Sequence, residues 1–518
     1  MQNLSMDFLH YNTTLFFVIL LFSIYLFQRY YNKKPSKNLP PCPPSLPFIG
    51  HLHLLRPPRH LSIHSLSKLY GPVLGLRLGS CNAIILSSPA AIKEALIKND
   101  PVFSNRPMIK AGDVLGYKNT SIFFSPHGPH WRNLRRLTSS ELLSTRRLNL
   151  LAGIRFNEFL SLIHRMVKAS SSGEVELKAR LFEMGHNSMS KIVFGKRYYG
   201  ENLDGEVDVA NQFKDIMHEA IDLVFSFNPR DFFPALGWLD LLGVERRMKR
   251  LLPRLDGFIT EIIEEQRRRR SEAVNAGREA EETNLLDVML SMQETDPEMY
   301  TDEHIKGHIL SILTAGNDTT AGTIETAMLL LLSHPEIMKK AKTEIDMSVG
   351  HNHILDESDL LKLPYLKNIL KETLRLSPPM QGMPPRASSA DCTIQGYHVP
   401  KGTILFVNVW GLQRDPDLWD DAMSFKPERF AGEEEEEEEE DVKYVPFGAG
   451  RRKCPGEHFG MRMVMAGVGA LVQCFDWEPM SKEEVDINAL LGLTVPKGQP
   501  MVAKYKVRAC MVDALSKI

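Results

Sequence analysis

Apolar and polar positions divide the chain into a short apolar leader and a long body that is mostly helical in period. No Lys, Arg, Asp or Glu occurs from Phe8 to Phe27, so a helix here could cross the ~30 Å hydrocarbon layer of a membrane. Arg29, Lys33, Lys34 and Lys37 follow, then Pro40, Pro41, Pro43, Pro44 and Pro47. No small-x-small cleavage site separates the two stretches, which favours a retained anchor over a signal peptide. Residues 8–28 are thus read as a transmembrane anchor, 29–47 as a basic, proline-rich hinge, and 48–518 as the body. Positive charge after the anchor predicts a cytoplasmic body, and the prolines predict a stiff, extended spacer.

In the body, Val73–Leu78 and Ala83–Leu86 read as strands around a Gly-Ser turn. Helical periodicity marks Trp131–Leu143, Phe213–Phe227, Arg246–Arg270, His304–Leu332, Pro335–Val349, Tyr365–Leu376 and Phe459–Phe475. Strand-like pieces return at Cys392–Val399 and Thr403–Val407. The fold class is therefore mainly α with a small β component.

Length and charge change this picture only at two points. The 518 residues are 43% hydrophobic and could form two to four domains, yet no repeat or long linker interrupts them after residue 47, so a single large domain is equally allowed. Glu433–Asp441 is a run of nine acids; removing it turns the chain's net −2 into +7 for the remainder. The run reads as an acidic, disordered loop. A mildly basic body suits an acidic protein or a membrane surface, while nothing resembles a nucleic-acid module, so nucleic acid is excluded as a partner. The six cysteines form neither a disulfide framework nor a C-x-x-C pair.

The chemistry concentrates in a few motifs. Phe447-Gly-Ala-Gly450-Arg-Arg452-Lys-Cys454-Pro-Gly456 places a thiol just before an apolar, periodic run. A thiol where a helix begins is expected to ionise easily, helped by Arg451, Arg452 and Lys453, and to be a soft metal ligand. Ala315-Gly-Asn-Asp318-Thr319-Thr320 reads locally as a turn with a helix cap, or else as a distortion within one long helix. Glu372 and Arg375 are three apart, a spacing that usually means a surface ion pair. Trp131 and Arg135 share one helix face, and Arg132 and Arg136 share another.

These motifs together resemble the cytochrome P450 family, whose haem loop reads F-x-x-G-x-R-x-C-x-G; every fixed position from Phe447 to Gly456 matches. The resemblance covers essentially the whole chain and is greatest to the plant microsomal branch, notably isoflavone-hydroxylase-like enzymes. It implies a single prism-shaped haem domain behind the anchor, with haem b bound and Cys454 as the ligand of the iron. Trp131, Arg135, Arg386, Phe447, Arg452 and Gly456 become cofactor-binding residues. Glu372, Arg375 and Arg429, the last from the P-E-R-F segment Pro427–Phe430, become a buried structural triad. Of the two readings of the Ala315–Thr320 stretch, the resemblance favours the distorted helix, with Thr319 as hydrogen-bond donor to dioxygen and Asp318 as proton relay. By family position the substrate pocket draws on Phe123, Phe124, Phe227, Leu310, Ala315, Met380, Met383, Leu493 and Thr494. Phe232, Phe233, Leu236 and Trp238 are candidates for contact with the membrane surface.

The implied activity is monooxygenation of a lipophilic plant secondary metabolite, an isoflavonoid, other phenolic or terpenoid. Dioxygen and NADPH would be used through a membrane-bound NADPH-cytochrome P450 reductase, on the cytoplasmic side of the endoplasmic reticulum. Arg132, Arg136 and Lys453 would face that partner. Oxidative ring closure or phenol coupling would use the same machinery. A reductase-independent haem-thiolate isomerase or dehydratase, and a non-catalytic haem or ligand carrier, are the rivals; the Asp318–Thr319 pair and the anchor speak against the isomerase.

Overall fold

The computed structural model describes residues 17, 18, 21, 38–170, 173–200, 207–276, 284–432, 442–478 and 502–517. Most of the anchor, the basic part of the hinge, and the acidic run 433–441 lie outside them. Among the described residues no helix is long and apolar enough to cross a membrane.

The longer helices are α1 (Arg59–Tyr70), α2 (Pro129–Leu137), α3 (Ala152–Ala169), α4 (Leu177–Phe194), α5 (Val207–Phe225), α6 (Val244–Asn275), α7 (Leu285–Thr295), α8 (Asp302–Ser333), α9 (Pro335–Ser348), α10 (Pro364–Leu376) and α11 (Glu457–Cys474). The strands are β1 (Val73–Leu78), β2 (Cys81–Leu86), β3 (Glu174–Glu176), β4 (Arg386–Ala387), β5 (Cys392–Ile394), β6 (Tyr397–Val399), β7 (Ile404–Val407), β8 (Phe475–Trp477) and β9 (Val502–Val507). One sheet runs β1-β2-β7-β4, a second β3-β9-β8, and β5 and β6 form a hairpin. Cys392–Val399 is thus not the single strand its pattern predicts. Gln395 (φ 49°) and Gly396 (φ 79°) reverse the chain in its middle, the left-handed pair that a two-residue hairpin requires.

Helix α8 is buried over most of its length, and from Ala327 to Ser333 it is buried on every face, as an apolar run in a central helix must be. It packs along α4 and against α10 and α11. At the α11 crossing a Cβ on Gly467 would fall 2.7 Å from Ile324 Cδ1, so glycine sets how closely the two axes approach. Helices α1, α3, α4 and α7 escape the sequence reading. In α4 the reason is plain: Gly185-His-Asn-Ser188 breaks the apolar period and favours turns locally. Tertiary packing overrides this preference and buries those residues.

The parallel pairing of β2 with β7 joins residues 83–86 to residues 404–407 and sets β4, with Arg386, beside β7. Phe232 and Phe233 are held against the β1–β2 turn: the Phe232 carbonyl accepts a hydrogen bond from the Ser80 amide (2.9 Å), and a Cβ on Gly79 would fall 2.9 Å from the Phe233 ring. Leu236, Trp238, Leu241 and Leu242 beyond them are exposed.

Candidate active site

Gly316 and Asn317 do not break α8, which runs unbroken from an N-cap at Thr301, whose hydroxyl accepts from the His304 amide. The hydroxyl of Thr319 donates to Ala315 O (2.6 Å), that of Thr320 to Gly316 O (2.9 Å) and that of Thr323 to Thr319 O (2.7 Å). Such back-bonding loosens a helix locally. Ala315 is exposed although Leu313 and Asn317 on either side are buried, so this turn of the helix borders an internal space. Burial pushes the Asp318 carboxyl up to about 6, against a smaller opposing pull from Lys178 of α4. The same turn is clamped from behind. A Cβ on Gly316 would fall 2.7 Å from Met189 Sδ, and one on Gly185 would fall 2.5 Å from Asn317 Oδ1.

Cys454 precedes α11 by three residues, with Gly456 at the N-cap. Its amide donates to Phe447 O (2.8 Å), and the Lys453 amide donates to Gly450 O (2.8 Å). Gly450 is demanded twice: its φ is +65°, and a Cβ would fall 2.2 Å from Leu96 O and 2.5 Å from Asp100 Oδ1. The Cys454 side chain is water-accessible yet thickly surrounded by protein, and that burial raises its thiol above the ordinary value. The Gly456 amide, Arg135 and Lys453 pull it down by less. Desolvation thus opposes the easy ionisation expected from the helix start and the neighbouring cations. Arg451 and Arg452 are not among the groups that lower it, because both turn elsewhere. Arg451 reaches Asp100 (3.4 Å), and Arg452 donates to the carbonyls of Ser104, Ile122 and Ser125.

Arg452 also lies over the Trp131 ring, 4.3 Å from its centroid, and Trp131 Nε1 donates to Ile122 O (3.2 Å). Arg135 donates to Lys453 O (2.8 Å). Arg386 donates to Ala449 O through one nitrogen, while its Nη1 is buried without a hydrogen-bond partner and lies 3.6 Å from Asp100. A further cation that sequence reasoning missed completes this group: Arg106 donates to the carbonyls of Phe123, Pro384 and Pro385. Burial lowers all four guanidiniums, and repulsion from neighbouring guanidiniums adds to it at Arg106 and Arg452: Arg106 falls well below its ordinary value, Arg386 to about 10 and Arg452 to about 9. Asp100 is the carboxylate that faces Arg386 and Arg452. The signal for Arg106 was a lone basic residue in a short loop, which nothing local distinguishes.

Behind the loop, Arg375 donates to both carboxylate oxygens of Glu372 (2.7 and 2.8 Å), and Arg429 Nε donates to Glu372 Oε1 (2.9 Å). Glu372 and Arg375 are fully buried. Arg375 also donates to the carbonyls of Gln413, Ala422 and Ser424, and Arg429 to those of Asp420 and Asp421. The pair that spacing alone would put on a surface is instead an internal fastening for residues 413–429. Arg132 and Arg136 are exposed, and Lys453 beside them is paired with Glu457 (2.9 Å).

Of the pocket candidates, Phe123 and Phe124 meet edge to face (4.8 Å). Met383 Sδ lies 3.9 Å from where a Cβ on Gly448 would sit, so it reaches the Cys454 loop. Met380 is part-buried and Leu310 is buried in α8. Phe227 stacks on Phe232 (5.4 Å) under Arg59, beside the β1–β2 turn. Leu493 and Thr494 lie outside the described residues.

The family model described as Cytochrome P450 matches residues 40–503. "Isoflavone 3'-hydroxylase" of Medicago truncatula is 44% identical over 91% of this chain and 93% of its own length. "Cytochrome P450 81Q32" of Catharanthus roseus is 42% identical over 98% of each, and "(+)-piperitol/(+)-sesamin synthase CYP81Q2" of Sesamum radiatum is 39% identical over 96% of this chain and 97% of its own. Among solved structures, a zebra fish cytochrome P450 with abiraterone superposes with TM-score 0.69 at 24% identity, covering 87% of this chain and all of the other.

Proposed function

From the premise that this chain belongs to the cytochrome P450 family and is a monooxygenase, we propose that Cys454 is the thiolate ligand of a haem b, and that the substrate is a phenolic plant metabolite of isoflavonoid type. The observation that carries the cofactor reading is the charge imbalance beside the thiol. Arg106, Arg135, Arg386 and Arg452 present more buried positive charge than Asp100 offsets, and one Arg386 nitrogen has no hydrogen-bond partner. A porphyrin with two carboxylates and an iron fits such residues: the guanidiniums would hold the carboxylates, Trp131 would orient Arg452, and Cys454 would supply the soft donor. Iron would also favour the thiolate that burial now opposes. When bound, haem supplies dioxygen activation and a strong electron push from the thiolate.

The chain's own residues then divide the remaining work. Phe447 O and the Gly450 turn hold the Cys454 backbone in place. Asp318, with a carboxyl near 6, can both hold and give up a proton near neutral pH, as a relay must. Thr319, whose hydroxyl donates to Ala315 O, would pass that proton into the space that Ala315 borders. Phe123, Phe124, Leu310 and Met383 would keep water away and orient an aromatic substrate by apolar contact.

Electrons would come from NADPH through a reductase docking at Arg132 and Arg136, which are exposed as such a role needs. Residues 8–28 would anchor the chain in the endoplasmic reticulum, with 29–47 as hinge and 48–518 as one cytoplasmic domain. Exposed Leu236, Trp238, Leu241 and Leu242 would rest on the same membrane. Similarity to the synthase named for (+)-piperitol and (+)-sesamin favours ring closure as a second reading.

The test is microsomal expression with reductase, and mass-spectrometric screening of isoflavones and (+)-piperitol. Oxygenated product that requires NADPH supports the proposal. Product formed equally without NADPH would refute it. Cys454→Ala should lose the red-shifted Soret band of the reduced carbon monoxide complex, and retention of that band would refute the ligand assignment.

A further inference from the structure

Three consecutive residues with side chains, Tyr117, Lys118 and Asn119, have φ of 48°, 58° and 61°. L-residues enter this left-handed region singly and at a cost, so a run of three is a strained turn that its surroundings must hold. Part of the hold is local: the Lys118 amide donates to Asp113 O and the Asn119 amide to Gly112 O (both 2.9 Å). The rest comes from two distant helices. The buried Tyr117 donates its hydroxyl to Asp256 Oδ1 of α6 (3.1 Å), and the same oxygen accepts from Lys306 Nζ of α8 (2.8 Å). Lys118 Nζ reaches Glu303 of α8 (2.8 Å). Gly307 makes room for the turn, since a Cβ there would fall 2.9 Å from Thr120 Oγ1 and 3.5 Å from Tyr117 Cβ.

The turn is coupled to the aromatic pair that follows it. A Cβ on Gly112 would fall 2.9 Å from the Phe124 ring, and one on Gly116 would fall 2.6 Å from it. The Phe124 ring therefore beds directly on the backbone leading into the turn, and Phe123 leans on Phe124. The backbone of Gly112 and Gly116 thus lies between Tyr117 and the two rings.

We propose that Tyr117, Asp256 and Lys306 form a latch that keeps this strained turn, and with it the Phe123–Phe124 wall, closed over the substrate pocket, and that release of the latch admits substrate and lets product leave. The inference rests on the reading of Phe123 and Phe124 as pocket wall. Two features make the contact a latch instead of plain packing. The closed turn stores backbone strain that favours release, and the side-chain hold on Tyr117 is one carboxylate, Asp256, whose side chain is 40% exposed, so water competes for the bond. The Tyr117 hydroxyl stays protonated and able to donate, because burial and Asp256 both raise it.

The test uses the full haem-loaded chain with Tyr117→Phe, which removes one oxygen and keeps the ring. Amide hydrogen exchange over residues 110–125 should rise about tenfold, as expected when a hydrogen bond to a charged acceptor is lost. Phenylimidazole, followed in stopped flow by the Soret shift, should bind and dissociate faster by a similar factor with little change in affinity, because a gate alters both rates together. Asp256→Asn should act in the same direction, and the double variant should add little to the larger single effect. Unchanged exchange over 110–125 would overturn the latch. Faster exchange with unchanged ligand rates would overturn the gate and, separately, the placement of Phe123 and Phe124 at the pocket. Faster dissociation alone would overturn it too, by making Tyr117 a ligand contact.

Discussion

Replacing Asp318 by Asn should make the protein more stable at neutral pH while slowing turnover, and both effects follow from the burial of one carboxyl. Burial raises its pKa from 3.8 to about 6. The folded state therefore binds this proton more tightly than the unfolded state, and stability falls as pH rises from the unfolded value through 6. Each pKa unit is worth about 1.4 kcal/mol, so two units bound the penalty at about 3 kcal/mol. Partial access of water to Asp318 reduces this to about 1–2 kcal/mol. Asparagine has nearly the same shape and no charge to desolvate, so it escapes the penalty. Thermal unfolding of the haem-loaded protein should show wild type and Asp318→Asn nearly equal at about pH 4, with the variant ahead by about 1–2 kcal/mol at about pH 8. Turnover should fall by about a hundredfold, the scale on which a positioned proton donor acts. An Asn variant that is less stable than wild type at both pH values would refute the reasoning, since it would mean that the charge is compensated by a partner.

Thr319→Ala should bind substrate normally but divert reducing equivalents to peroxide, measured as the ratio of product to NADPH consumed; unchanged coupling would remove Thr319 from the proton path. Gly450→Ala should lower haem retention by about tenfold or more, because the added carbon meets the Leu96 and Asp100 oxygens and the residue is held at positive φ; spectroscopic haem titration reads this directly. Arg375→Met should cost about 3–5 kcal/mol by leaving Glu372 buried with half its compensation, read as a fall in thermal midpoint of the folded chain.

How far the sequence could be read depended on how local each feature is. The Cys454 loop, the Ala315–Thr320 segment and the Glu372–Arg375 pair are contiguous, and their residue types carry the chemistry wherever the chain goes. Strand β1 and the limits of α8, α9 and α10 followed from periodicity to within a residue or two. Misreadings arose where a distant element decides. The help that the Cys454 thiol was expected to draw from three neighbouring cations comes only from Lys453, because Arg451 and Arg452 turn elsewhere. Arg106 joins the guanidinium group only because β4 is brought beside the loop that carries it, through the bridge between Asn105 and Ala387. Helix α4 is hidden by polar residues that only the α8 seam explains. The left-handed turn follows Gly116, but a single glycine does not announce three successive left-handed residues after it, and the side-chain hold on Tyr117 comes from Asp256, 139 positions away.

The guanidinium group has a consequence for how the protein comes to hold its cofactor. Arg106, Arg386 and Arg452 lie close enough for repulsion to lower Arg106 and Arg452, so a dicarboxylate bound there would relieve a tension already present instead of requiring new order. Added salt should then benefit the empty form more than the filled one, and porphyrins whose carboxylates are esterified should be discriminated against before any metal is bound.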